Sequence, residues 1–403
     1  MNERARSGPI VLTTRTLDSK SGTSQAALDV ALALSQRASL LRIRAWVPNP
    51  LPREIDGRML GAWQWEPVSP LTAADAVGDG EAPPRALYEH ARNLRAWART
   101  RLSGRAPASL EVVNGLGAHA LYAAERLPDT PSVLIVHESP RHFETAQRLS
   151  FEQAALAMRT YDYRVFVSER GQKEWQTLAG LDPERSLYIP NCVREQRVVA
   201  AFSSARAELR RRFGYDAHGV HAVCVGQVSL RKGQDSILAA LQAMPALPNN
   251  TPPMRLDFLG ASDSPWAREL IAQYAGTPLA PNLRFLGNVR DVYERVYAAD
   301  VLVLGSRAEA FPLVVLEAMA LGVCVVAPDI DGVREQVIDE STGLLFARDN
   351  ARELVGCLSR VARDGRLRER FGAAGRARYL ERFTRERQLA RWSSALQWLR
   401  GGG

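Results

Sequence analysis

Short apolar runs alternate along the chain with longer segments of helical period. The runs PIVLTTR (9–15), LRIRAWV (41–47), LEVVN (110–114), SVLIVH (132–137), RVFVS (164–168) and SLYIP (186–190) have the length and β-branched content of strands. Between them, segments such as SQAALDVALALSQRA (24–38) and ALYEHARNLRAWARTRL (86–102) carry apolar residues at helical spacing. A second series begins near residue 220, with VHAVCVG (220–226), RLDFLG (255–260), LRFLG (283–287), VLVLG (301–305), VCVVA (323–327) and GLLF (343–346). Apolar strands alternating with helices predict parallel sheets covered on both faces.

The chain has 403 residues, too many for one ordinary core, so two doubly wound α/β units in tandem are expected. The break falls within 192–218, where REQRVVAAFSSARAELRRRFG is polar and helical. We place the first domain at 1–200, the second at 201–384, and at 385–403 a last amphipathic helix that crosses back onto the first domain. LTAADAVGDGEAPP (71–84) and MPALPNNTPPM (244–254) read as long loops. Doubly wound sheets bind ligands beyond the carboxyl ends of their strands. The chemistry is therefore expected in strand-to-helix loops, at a cleft between the units.

Composition narrows the class. The chain is 46% hydrophobic and 24% charged, ordinary for a globular protein. No apolar run reaches the roughly 18 residues of a membrane span. The basic N-terminus lacks a long apolar segment and a small-residue cleavage site, so no signal peptide and a cytoplasmic location are expected. Cys192, Cys224, Cys324 and Cys357 form no CxxC or CxxH pattern and the histidines no HExxH, so no metal site is expected. The net charge of +8 comes largely from arginines in helical stretches such as 206–214 and 363–391. They are solvated helix faces, or they attract an anionic membrane surface, a lipid-linked phosphate or an acidic glycan. They do not interleave with aromatics or follow a DNA-binding motif, so nucleic acid is not an expected partner.

The most informative stretch is SRAEAFPLVVLEAMALG (306–322). It leaves an apolar strand as a loop holding Glu309 and enters a helix near Phe311, with Pro312 at the first position. Leu313 and Val314 then offer free backbone N–H groups at the positive end of a helix dipole, an anion site suited to phosphate. Glu317, about two turns inside, reaches a more distant part of the same ligand, as a carboxylate that holds vicinal ribose hydroxyls does. A nucleotide sugar fits this arrangement. Upstream, VGQVSLRKGQD (225–235) exits the first strand of the second unit through Gly226 and Gln227, with Arg231 and Lys232 as diphosphate cations. In the first unit, DSKSGTSQAAL (18–28) puts Gly22 and Thr23 in a small-residue loop, and LIVHES (134–139) ends a strand in His137 and Glu138. GAWQWEP (61–67) and the 71–84 loop are candidate acceptor segments, Trp63 and Trp65 being able to stack on sugar rings.

Together these residues resemble the retaining glycosyltransferases of family 4, with the two-domain GT-B fold. The resemblance is carried by Glu309 to Glu317, GQVSLRKG (226–233), FLGNVRDV (285–292), IPN (189–191) and VHE (136–138), and covers nearly the whole chain. It implies that Lys232, assisted by Arg231, binds the donor diphosphate and that Glu309 contacts the donor sugar. The amides around Ala310, Phe311, Leu313 and Val314 hold sugar and phosphate, and Glu317 binds the ribose. The GNVRDV loop, with Val289, lies near the base. His137, Glu138 and the Gly22–Thr23 loop face sugar and acceptor. The family is metal-independent and retains anomeric configuration, with a nucleotide-diphosphate sugar as co-substrate and no other cofactor. A hexosyltransferase of cell-surface polysaccharide or glycoconjugate synthesis is thus expected, acting on a glycan, lipid-linked or small-molecule acceptor, with peripheral contact at the inner face of an anionic membrane. One departure stands out: Gln227 occupies a position where the family often has Arg, which removes a cation. A GT-B nucleotide-sugar epimerase and a non-catalytic glycan- or partner-binding protein are the alternatives.

Overall fold

A computed structural model describes residues 10–14, 27, 30, 31, 34, 41–45, 54–55, 58–59, 63–67, 109–116, 130–145, 150–215, 219–244 and 254–401. Contacts divide the chain into two units, Met1–Asn191 with Glu386–Gly403, and Cys192–Arg385.

The first unit is built on β1 (Ile10–Thr14), β2 (Leu41–Ala45), β5 (Trp63–Pro67), β6 (Leu110–Asn114), β7 (Ser132–Val136), β8 (Tyr163–Phe166) and β9 (Ser186–Tyr188), with a short antiparallel pair, β3 (Glu54–Ile55) and β4 (Arg58–Met59), apart from the sheet. The main sheet is parallel and ordered β5-β2-β1-β6-β7-β8-β9. Every residue of β1, β6 and β7 is buried, which is why these strands are mostly apolar rather than alternating; Thr13, Thr14, Glu111, Asn114 and Ser132 are their buried polar positions. Ala27, Val30, Ala31 and Leu34 are helical and buried, at the spacing of one helix face. Helices α1 (Phe151–Arg159) and α2 (Glu169–Ala179) cover β7 and β8. Trp175 of α2 is fully buried, stacks on Phe151 at 5.1 Å, and donates its indole N–H to the Glu138 carbonyl at 2.9 Å.

In GAWQWEP, Trp63 and Trp65 lie in edge strand β5, in register with Leu41 and Ile43 of β2. An edge strand tolerates Pro at its end, as at Pro67. The 71–84 loop lies outside the described residues.

The second unit is a parallel sheet ordered β12-β11-β10-β13-β14-β15. Its strands are β10 (His221–Val225), β11 (Arg255–Leu259), β12 (Leu283–Phe285), β13 (Val301–Val303), β14 (Cys324–Pro328) and β15 (Leu344–Phe346). Its helices include α3 (Glu195–Phe202), α4 (Gln234–Ala243), α5 (Val292–Ala298), α6 (Leu313–Leu321), α7 (Asp331–Gln336), α8 (Ala351–Arg363) and α9 (Gly365–Arg382). A boundary at residue 200 would cut α3, which packs on α5 and α6 and so belongs with the second unit. An ionic knot on buried Asp257 ties the far edge of the sheet: Asp257 of β11 accepts from Arg284 Nε and Nη2, each at 2.6 Å, and from Tyr215 Oη at 3.0 Å. The last helix, α10 (Arg385–Gly401), belongs to the first unit, where Trp398 meets Tyr163 edge-on at 4.9 Å and Gln388 Nε2 donates to the Pro190 carbonyl at 3.1 Å.

Each sheet reverses its strand order once, between β1 and β6 in the first and between β10 and β13 in the second. The crevice at such a reversal, beyond the strand carboxyl ends, is where open α/β sheets bind ligands.

Candidate active site

In the second unit the reversal brings together the loop after β10 and the loop after β13. Their backbones touch at Gly233, which has φ +65° and starts α4; a Cβ there would stand 2.0 Å from the Gly305 carbonyl oxygen. Only glycine combines that left-handed conformation with that approach. Further bonds lock the two loops. Arg307 N–H donates to the Arg231 carbonyl at 2.8 Å, and Arg231 Nη1 donates to the Ala308 carbonyl at 3.0 Å. The Arg307 guanidinium reaches Asp235 at 2.8 Å and Asp349 at 2.8 Å. Within the loop after β10, Gln234, fully buried, donates to the Gln227 carbonyl at 3.1 Å and accepts from Ser229 N–H at 3.2 Å.

This frame sets Lys232 and Glu309 side by side. Lys232 Nζ donates to Glu309 Oε1 at 2.6 Å, joined by Ser306 Oγ at 2.9 Å and Arg231 Nη1 at 3.3 Å. Burial pushes the Glu309 carboxyl up, but Lys232, Arg231 and these hydrogen bonds outweigh it and hold the carboxyl at about 2. Glu309 is therefore a carboxylate at any physiological pH. Beyond it, Pro312 is the N-cap of α6 rather than its first residue, and no side chain caps the helix. The extended ψ of Pro312, +119°, delays the helix to Leu313 and leaves the amides of Leu313 and Val314 at its open end. Glu317 consequently lies one turn inside α6, nearer the helix start than its spacing from Phe311 suggests. It is buried and accepts from Tyr293 Oη at 2.9 Å. Burial pushes its carboxyl up, opposed by Tyr293, Arg197 and Arg194. Both glutamates are thus anchored through Oε1, and each Oε2 takes no hydrogen bond among the described residues.

The remaining second-unit candidates share this rim. Gly226 ends β10 beneath the Lys232 stem, and the Gln227 side chain is exposed. Val289 sits in the loop after β12, which the Gly260 N–H to Gly287 carbonyl bond of 2.8 Å ties to the end of β11. Ala310 and Phe311 are buried in the approach to α6, Phe311 meeting Phe383 edge-on.

In the first unit His137 and Glu138 follow β7. His137 Nε2 donates to Asn114 Oδ1 at 2.8 Å, at the end of β6, and Asn114 Nδ2 points to Thr14 Oγ1 at 3.5 Å, at the end of β1. Three strand ends therefore converge at that sheet's own reversal. Burial lowers the His137 pKa to about 4, so the imidazole is neutral at pH 7. Burial raises Glu138 to about 7 against the pull of the Leu116, His137 and Glu138 amides. A carboxyl raised in the fold contributes stability that is complete below its ordinary 4.5 and lost as pH rises through about 7. Glu138→Gln, neutral throughout, is expected to gain in melting temperature on the parent between about pH 5 and about pH 8. Parallel melting curves across that range would exclude the shift. Gly22 and Thr23 lie outside the described residues.

Asn114, Gln234, Tyr293, Ser306 and Arg307 were not singled out in the sequence. Asn114 had a usable signal, since it ends an apolar strand as His137 does. Among the described residues no group of His, Cys, Asp and Glu could hold a metal ion, and no helix is long and apolar enough to cross a membrane. The four cysteines are free, and burial pushes Cys224 and Cys324 up to about 12.

Residues 206–378 match the family of glycosyl transferases group 1. That segment holds both glutamates, the Lys232 loop and the α6 N-terminus. The D-inositol 3-phosphate glycosyltransferase of Geodermatophilus obscurus is 34% identical over 219 residues, 52% of this chain and 46% of that protein. The chain spans about half the length of most curated relatives it matches. Among solved structures, the sucrose-phosphate synthase of Thermosynechococcus elongatus superposes with a TM-score of 0.79 at 19% identity, over 98% of this chain and 100% of that one. Anabaena HepE, solved with UDP and glucose, gives 0.72 at 18%, over 97% and 99%. The fold is GT-B, two Rossmann-like α/β units in tandem.

Proposed function

We propose that the chain is a retaining, metal-independent glycosyltransferase that takes a sugar from a nucleotide-diphosphate donor. The observation that carries the reading is the Lys232–Glu309 pair beside the uncapped N-terminus of α6, at the strand reversal of the second sheet. A diphosphate leaving group needs concentrated, fixed positive charge, and Lys232, Arg231 and the Leu313 and Val314 amides supply it without reorganisation. Glu309 Oε2 then accepts from a hydroxyl of the donor sugar and Glu317 Oε2 from the ribose, with the Val289 loop near the base. His137 and Glu138 are assigned to the sugar and acceptor side. The bond from the anomeric carbon to the diphosphate breaks, the acceptor oxygen bonds that carbon on the same face, and the acceptor proton passes to the departing diphosphate. Arg231 takes over from the cation that Gln227 does not provide. Relatives named as phosphatidyl-myo-inositol mannosyltransferases favour a lipid-linked or polyol acceptor, which the positive charge suits, at the inner face of a membrane.

The test is a melting-temperature screen with UDP, GDP, ADP and dTDP, with and without EDTA. A ligand of the folded state raises the transition by mass action. A rise with one base, unchanged by EDTA and lost in Lys232→Ala, is expected. No rise with any of them would overturn the reading. The raised pKa of Glu138 favours a second reading, a sugar-nucleotide epimerase with a first-unit acid/base carboxyl. Conversion of the sugar nucleotide in the absence of acceptor separates the two.

A further inference from the structure

Helices α5 and α6 pack against each other, and at their contact Tyr293 Oη donates to Glu317 Oε1 at 2.9 Å. Both residues are buried. Burial and the adjacent carboxylate raise the Tyr293 phenol, so it stays a neutral donor. The Arg197 guanidinium of α3 lies over its ring, 5.8 Å from the centroid. The terminal torsion of a glutamate is broad and intrinsically weakly held. A bond to one oxygen from a rigid, buried phenol removes that freedom and dictates where the second oxygen points. In Glu317 the second oxygen is the one without a partner among the described residues.

We propose that Tyr293 is a positioning residue of the nucleotide site: it holds Glu317 by Oε1 so that Oε2 is presented to the ribose hydroxyls. The proposal rests on the reading of Glu317 as the ribose ligand. Preorganisation of this kind lowers the ordering cost of binding, so it acts on affinity for the ribose alone. A residue that merely supports α5 would weaken every nucleotide equally.

The experiment uses the full chain and the nucleoside diphosphate that gives the largest melting shift, together with its 2′-deoxy and 3′-deoxy forms. Tyr293→Phe is expected to weaken the ribonucleotide about tenfold and at least one deoxy form less than about twofold, the coupling expected of groups that act together. In turnover the KM for the donor rises with kcat held. Equal weakening of all three nucleotides by Tyr293→Phe, while Glu317→Ala discriminates among them, would overturn the proposal alone. If Glu317→Ala also fails to discriminate, the ribose reading falls and the proposal with it. Should Tyr293→Phe not fold, the structure of the parent with the same nucleotide decides. Ribose hydroxyls on Oε2 with Tyr293 still on Oε1 are expected; a Tyr293 hydroxyl turned away from Glu317 would refute it.

Discussion

Lys232→Met is expected to lower kcat/KM roughly a thousandfold, the scale of losing a preorganised donor at a site of developing charge. The side chain lies over Gly226, close enough that a Cβ there would stand 3.4 Å from Cε, so the ammonium is aimed by its own stem rather than tethered by its charge alone. Lys232→Arg is not a conservative rescue, because a planar fork does not fit where a point charge sits. The same change acts on stability through Glu309. A carboxyl lowered to about 2 contributes stability that is present above its ordinary 4.5 and lost as pH falls through about 2. Removing Lys232 weakens that lowering, so the variant's stability deficit is complete above 4.5 and closes towards about pH 2. Because the two groups are in contact at 2.6 Å, Lys232→Met and Glu309→Gln should be strongly non-additive in denaturant midpoints. Additive midpoints, or a Lys232→Met enzyme of parental kcat/KM, would sink the assignment.

What the sequence revealed and what it hid have a common physical basis. Parallel strands buried on both faces are apolar over most of their length, and the loops leaving their carboxyl ends are not, so the strand ends at Gly226, Gly305 and His137 stand out in one dimension. A carboxylate in such a loop, followed by Phe-Pro and an apolar helix, is equally visible. The groups that orient these residues are not. Tyr293 sits in VYERVYA, where an aromatic at helical spacing looks like any core residue, and its hydroxyl acquires meaning only when α6 arrives from 24 positions away. Gln234 and Arg307 resemble solvated helix and loop residues, yet Gln234 is buried and closes its own loop onto Gln227 and Ser229, and Arg307 bonds Asp235, more than 70 residues away. Asn114 is comparable: its partner His137 comes from the neighbouring strand. Except for Gln234, whose bonds are local, long-range pairing decides these, and a single sequence contains no measure of it.

Gly332→Ala is expected to be the most damaging single methyl group in the second unit. Gly332 is the second residue of α7 and is buried. Its backbone is not strained; the obstacle is space. A Cβ on Gly332 would fall 1.6 Å from the Ala310 carbonyl oxygen, 2.4 Å from its carbon and 2.8 Å from Phe311 Cα. All three are backbone atoms, so no side-chain rotation relieves the clash. Either α7 moves, or Ala310 and Phe311 do. α7 is held by Gln336, fully buried, whose amide donates to the Pro312 carbonyl at 3.1 Å, so the displacement is delivered to the N-cap of α6 on both routes. Overpacking of this severity costs at least about 3 kcal/mol, the upper end of the usual range. Ala310 and Phe311 lead directly into the amides assigned to the diphosphate, and a shift of about 1 Å in such a constellation lowers turnover roughly a hundredfold. Gly356→Ala, in the middle of α8 with nothing within 4 Å of the added carbon, is the control. It should be neutral or gain about 0.5–1 kcal/mol from helix propensity. Denaturant midpoints and kcat/KM measured on both variants separate the outcomes. A folded Gly332→Ala with parental kcat/KM would show that the approach to α6 tolerates displacement and that its amides are not what holds the leaving group.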